Sequence, residues 1–128
     1  MVPRDTIYLL MGLRLMSDYR DAGERALFYS FLKTLPEFRT EDLEEVEGEV
    51  LALRDKYPST KEAAAALEDI SSPVVKKKTF LLAVDIAMAN GNVDSLEDEI
   101  LEDMRVACGI SLDEAEQIVA IFEAKYAT

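Results

Sequence analysis

The stretch Asp85-Ile86-Ala87-Met88-Ala89-Asn90-Gly91-Asn92-Val93-Asp94-Ser95-Leu96-Glu97 decides how this chain folds. An apolar helical pattern runs into it, stops at Asn90-Gly91 and resumes after Asp94. Gly91 suits the left-handed backbone that closes a helix C-terminus. Asp94 is a good N-cap, and Glu97 three residues on completes a capping box. The stretch therefore predicts a helix–loop–helix corner crowded with oxygen-bearing side chains.

Such a corner invites comparison with a calcium loop. With Glu97 at loop position 12, Gly91 falls at position 6, where the sharp turn needs glycine. Asn90 and Asp94 then take positions 5 and 9. The front half fails, because positions 1 and 3 become Ile86 and Met88, which carry no side-chain oxygen. The stretch therefore does not match a standard EF-hand loop. Two readings stay open: a capped helix corner without metal, and a weaker or differently built cation site.

Working outward, the helix that enters the corner is capped by Ser72 with Pro73 at its first position. Val74, Leu81, Leu82, Val84, Ile86 and Met88 make it apolar on most sides, so it belongs at the centre. Asp85 lies within it. A carboxylate there must hydrogen-bond, pair with a cation or ligate one. Lys76-Lys77-Lys78 in its first turns oppose the helix dipole and are expected to meet acidic groups elsewhere. Beyond the corner, a helix from Asp94 to Cys108 turns Ile100, Leu101 and Met104 inward and ends before Gly109. A last helix, opened by Ser111 and Glu114, buries Ala115, Ile118, Val119 and Phe122.

Upstream, a first helix begins near Pro3 and is equally apolar, with Ile7, Leu10, Met11 and Met16. Asp21 and Glu24 open a second helix, whose expected buried stripe is Leu27, Phe28, Phe31, Leu32 and Leu35, ended by Pro36. A third, with Thr40 as its expected cap, turns Leu43, Val46, Val50 and Leu53 inward beneath an acidic outer face. Ser59 and Glu62 announce a fourth, with small alanines at 63–66 that allow close packing. No segment alternates with period two. The expectation is an all-α fold of about seven helices in a single domain spanning 1–128.

The two halves repeat. Asp21 and Glu24 stand 73 residues before Asp94 and Glu97, and the same offset superposes the two apolar helices. After the loop, Thr40 corresponds to Ser111, an offset of 71. This gives repeat one over about 3–57, a connecting helix over about 60–70 and repeat two over about 73–127. An internally duplicated bundle of this kind puts its two most apolar helices at the centre, with an acidic corner in each half.

Composition narrows the function. Acidic residues number 26 against 14 basic, a net charge of −12. That opposes phosphate-mediated nucleic-acid binding and anionic membrane surfaces, and suits cations or basic partners. There is no histidine, so the commonest general base and transition-metal ligand are missing. The lone Cys108 forms no intrachain disulfide and reads as a small buried hydrophobe. A reducing, cytoplasmic location is expected. The apolar run 7–16 carries Arg14 and no cleavage pattern, so no signal peptide is read there, and no run approaches a membrane span. No nucleophile–base motif appears, so no catalytic residue is assigned and the chain is expected not to be an enzyme.

Ala87-Met88-Ala89-Asn90-Gly91-Asn92-Val93-Asp94-Ser95-Leu96-Glu97 resembles the A-x-A-D-G-x-[IV]-x-x-x-E signature of the TerB-like tellurite-resistance family. Cys108-Gly109-Ile110-Ser111-Leu112-Asp113-Glu114-Ala115 resembles the L-G-[IL]-S-x-x-E-[AV] continuation. The duplicated helical plan agrees over nearly the whole chain. One departure is Asn90, which stands where the family usually has Asp and offers an oxygen without charge. The resemblance implies an intracellular bacterial protein of tellurite and chemical stress, metal binding through acidic residues, and assemblies near the inner membrane face. Carried onto this chain, the matched positions are Asp85, Asn90, Asp94 and Glu97; Asp21 and Glu24 join them through the repeat. Oxygen donors without histidine point to Ca²⁺ or Mg²⁺. The competing expectation is an acidic helical module that binds a protein partner and holds no metal.

Overall fold

The computed structural model describes residues 1–17, 21–89 and 95–128, with the side chains of 95–97 outside the description. Among the described residues there are seven α-helices and no strand: α1 (Arg4–Met16), α2 (Ala22–Leu32), α3 (Leu43–Lys56), α4 (Thr60–Ala66), α5 (Pro73–Ala89), α6 (Ser95–Ala107) and α7 (Leu112–Lys125). Short 3-10 turns occupy Pro36–Phe38 and Leu67–Asp69.

The apolar helices α1 and α5 pack against each other at the centre. Leu9, Leu10, Met11 and Leu13 are all fully buried, so α1 meets protein on every side. Its close approach to α5 depends on Gly12, where a Cβ would stand 2.7 Å from Thr79 Cγ2. Polar contacts fix the same pair at one end. The Asp5 carboxylate accepts from the Ser71 and Ser72 amides at 2.9 and 3.0 Å. Arg4 donates to the Asp69 carbonyl at 2.6 Å. Around this centre, α3 packs on α1, α4 with its buried Ala63, Ala64 and Ala66 packs on α6 and α1, and both α6 and α7 lean on α5.

Most expected caps form. Asp21, Ser59, Ser72 and Ser111 accept from the backbone amides of Glu24, Glu62, Val75 and Glu114. The third helix differs: its cap is Asp42, which accepts from the Glu44 amide at 3.0 Å, not Thr40. Fully buried Phe38 pulls the preceding turn inward. Lys33 then clamps the Phe38 and Glu41 carbonyls at 2.9 and 2.6 Å, so the helix starts only after that turn. At the end of α6, Gly109 has φ +70°. The Ile110 and Gly109 amides donate to the Arg105 and Val106 carbonyls, a Schellman closure.

Two of the three lysines opening α5 meet acids as expected. Lys77 reaches Glu114 at 2.7 Å and Lys78 reaches Glu37 at 2.6 Å. Cys108 is buried, and burial pushes its thiol up to about 11. The inward sets of α3, α6 and α7 are as the spacing predicts. Leu27 is not. It is 75% exposed, because the buried stripe of α2 turns through Phe28 and Leu32 and leaves Leu27 beside it. Among the described residues no other helix packs extensively along α2, and its outer flank borders an open cleft.

Candidate functional site

The cleft lies between α2, the end of α5 and the end of α7, with a volume of about 570 Å³. Leu27, Phe28 and Phe31 from α2 face Ile86 and Ala89 from α5. Glu24, from the first corner, and Asp85, beside the second, line this one cleft. Candidate residues from both halves of the sequence therefore share a surface.

Asp85 is the acidic side chain that the described core buries, at 8% exposure. Its two oxygens each accept from the Lys125 ammonium at 3.1 Å. The Tyr126 hydroxyl donates a short hydrogen bond to the same carboxylate. This meets the requirement that a carboxylate in an apolar helix find a partner. The partners come from the C-terminal end of α7, 40 and 41 residues away, so the contact also ties α7 to α5. Lys125 further lies 4.9 Å from the Tyr126 ring centroid, within cation–π range. The Tyr126 hydroxyl and then Asp85 hold the Lys125 ammonium above its ordinary value. Hydrogen bonding to Asp85, with burial second, raises Tyr126 as well. Both groups keep their protons, which stabilises the closed contact.

The other candidates divide. Asp21 acts as a cap, its Oδ1 accepting from the Glu24 amide at 2.8 Å. Asn90 and Asp94, with the expected turn at Gly91, lie outside the described residues, and so does the side chain of Glu97. Among the described residues no group of three His, Cys, Asp or Glu side chains is placed to hold a metal. A calcium ion takes six to eight oxygens. Glu24 and a Lys125-bound Asp85 fall short of that, so the described donors do not fit a cation by themselves. Lys125 and Tyr126 were missed from sequence. The requirement on Asp85 was readable, but nothing along the chain links position 85 to the end of α7.

A family model described as tellurite resistance protein TerB matches residues 6–120. The chain belongs to the TerB family. The match covers nearly the whole helical bundle, including the corner motif and its continuation into α7. No characterised protein and no solved structure is found to match the chain. This TerB-family domain is thus a tellurite-resistance-associated helical domain, and no helix among its described residues is long and apolar enough to cross a membrane.

Proposed function

We propose that this domain is non-enzymatic and acts by binding, its acidic surface engaging a basic protein partner during tellurite or related chemical stress. The observation that carries this is the internal neutralisation of Asp85 by Lys125 and Tyr126. The buried carboxylate is occupied, so the charge open to other molecules lies on the surface, within a net charge of −12. The state of the reactive groups supports a non-catalytic role. The Cys108 thiol is buried and pushed up to about 11, far from a ready nucleophile. Lys125 and Tyr126 are raised, away from the range of a general base at neutral pH.

A second reading has its own support. Glu24 and Asp85 line one cleft, as a weak Ca²⁺ or Mg²⁺ site drawing on both corners would require. Such a site would also need Asn90, Asp94 and Glu97, and Lys125 would compete with the cation for Asp85. Calorimetric titration of chelator-stripped protein with Ca²⁺ and with Mg²⁺ separates the two. The binding-module reading expects no heat from wild type or from Lys125→Met. Saturable binding tighter than about 100 μM would raise the melting temperature at millimolar ion and put the cation reading first.

A further inference from the structure

A second groove lies along α5 at Phe80 and Val84. α6 and α7 both pack on α5 more than on each other, leaving about 430 Å³ between them. Its floor is apolar: Phe80 and Val84 from α5, Leu101 from α6, Ala115 and Val119 from α7. Leu112 stands at its mouth, 64% exposed. Both rims are acidic, with Asp98 and Glu102 on the α6 side and Glu116 and Glu123 on the α7 side. Arg105, the one cation among the described residues that line it, is committed to Glu102 at 2.6 and 2.9 Å and to the Ile110 carbonyl at 2.7 Å. Asp98, Glu116 and Glu123 make no ion pair among the described residues, so the rims keep a net negative charge.

We infer that this groove receives an amphipathic, basic helix of a partner protein. An apolar trough between two helices is the geometry that takes the apolar face of a third, with flanking cations meeting the rims. The sign of the rims selects the occupant. A nucleic acid or an anionic lipid surface would be repelled, and so would a second copy of a chain carrying −12. A Lys- or Arg-flanked apolar helix satisfies both the floor and the rims, and charge complementarity speeds its capture. This inference rests on the binding-module reading and adds the place and the chemistry of the partner.

The test uses a synthetic amphipathic helix of leucine and lysine as probe, with a scrambled peptide of the same composition that has no apolar face. Binding is followed by fluorescence anisotropy near physiological salt, where weak long-range attraction is screened. The amphipathic probe should bind with a Kd of about 10–100 μM, and the scrambled one about tenfold more weakly. Glu116→Lys with Glu123→Lys should weaken the amphipathic probe about tenfold, and Val119→Ser should weaken it too. Both glutamates are exposed, so the double variant keeps the fold. The control is Glu49→Lys with Asp55→Lys, an equal charge change on exposed sites of α3, which should stay within about twofold. Equal weakening by the two double variants would overturn the groove while leaving an acidic binding surface in place. No binding of the amphipathic probe at all would overturn both.

Discussion

Gly12 is the residue on which the central packing turns. Gly12 has no side chain, and Thr79 and Leu67 stand where one would be. An added Cβ would meet Thr79 Cγ2 at 2.7 Å and Leu67 Cδ1 at 3.3 Å. Thr79 cannot swing aside cheaply, since it is fully buried and its Oγ1 donates to the Val75 carbonyl at 2.7 Å. Alanine is the better helix former by up to about 1 kcal/mol. Overpacking of a filled core costs about 1–3 kcal/mol, so the clash should win. Gly12→Ala is expected to lower stability in urea titration. Adding Thr79→Ser, which deletes Cγ2 and keeps the hydroxyl, should recover part of the loss, a coupling of at least about 0.5 kcal/mol. Additive effects would mean that the helices separate freely and that Gly12 is not what holds them close.

At the scale of elements, the Asp85 contact with Lys125 and Tyr126 fastens the end of α7 to α5, and its pH dependence has a definite sign. Lys125 and Tyr126 are both raised above ordinary values of 10.5 and 10.0. A raised group stabilises the fold fully below its unfolded value and loses that contribution as pH climbs through its folded one. Wild type should therefore melt above Tyr126→Phe at neutral pH, and the gap should shrink from about pH 10 upward. A gap that stays constant into strong alkali would show that the hydroxyl contributes nothing through its proton. Elements were also what the sequence made most legible. Local chemistry placed the caps at Asp21, Ser59, Ser72 and Ser111, and helical spacing placed the inward faces of α3, α6 and α7. Thr40 failed as a cap because long-range burial of Phe38 decided where α3 begins. Leu27 failed as core because no helix among the described residues covers that flank of α2. In the candidate site, the need of Asp85 for a partner was readable, but the identity of Lys125 and Tyr126 was set by tertiary packing across 40 residues.

For the whole molecule, charge governs how any cation experiment must be read. A surplus of 12 negative charges repels itself and favours expansion. The described ion pairs, such as Lys77–Glu114 at 2.7 Å, pull the other way. Exposed pairs contribute only about 0–1 kcal/mol each, and salt screens them as well. At about 0.1 M salt the screening length is about 10 Å, shorter than much of the repulsion across the surface. The net effect of salt should follow the larger, longer-ranged quantity. The melting temperature is therefore expected to rise as NaCl goes from about 20 to 300 mM. A fall would mean that ion pairs outweigh self-repulsion. The same argument sets the control for divalent ions, since Ca²⁺ or Mg²⁺ will stabilise so acidic a chain by screening alone. A specific site must exceed NaCl at matched ionic strength, and the excess must grow in Lys125→Met, where the ammonium no longer competes for Asp85. Equal curves for NaCl and the divalent ions in both proteins would leave charge screening as the whole effect, and the Asp85 contact as a structural closure of α7 on α5.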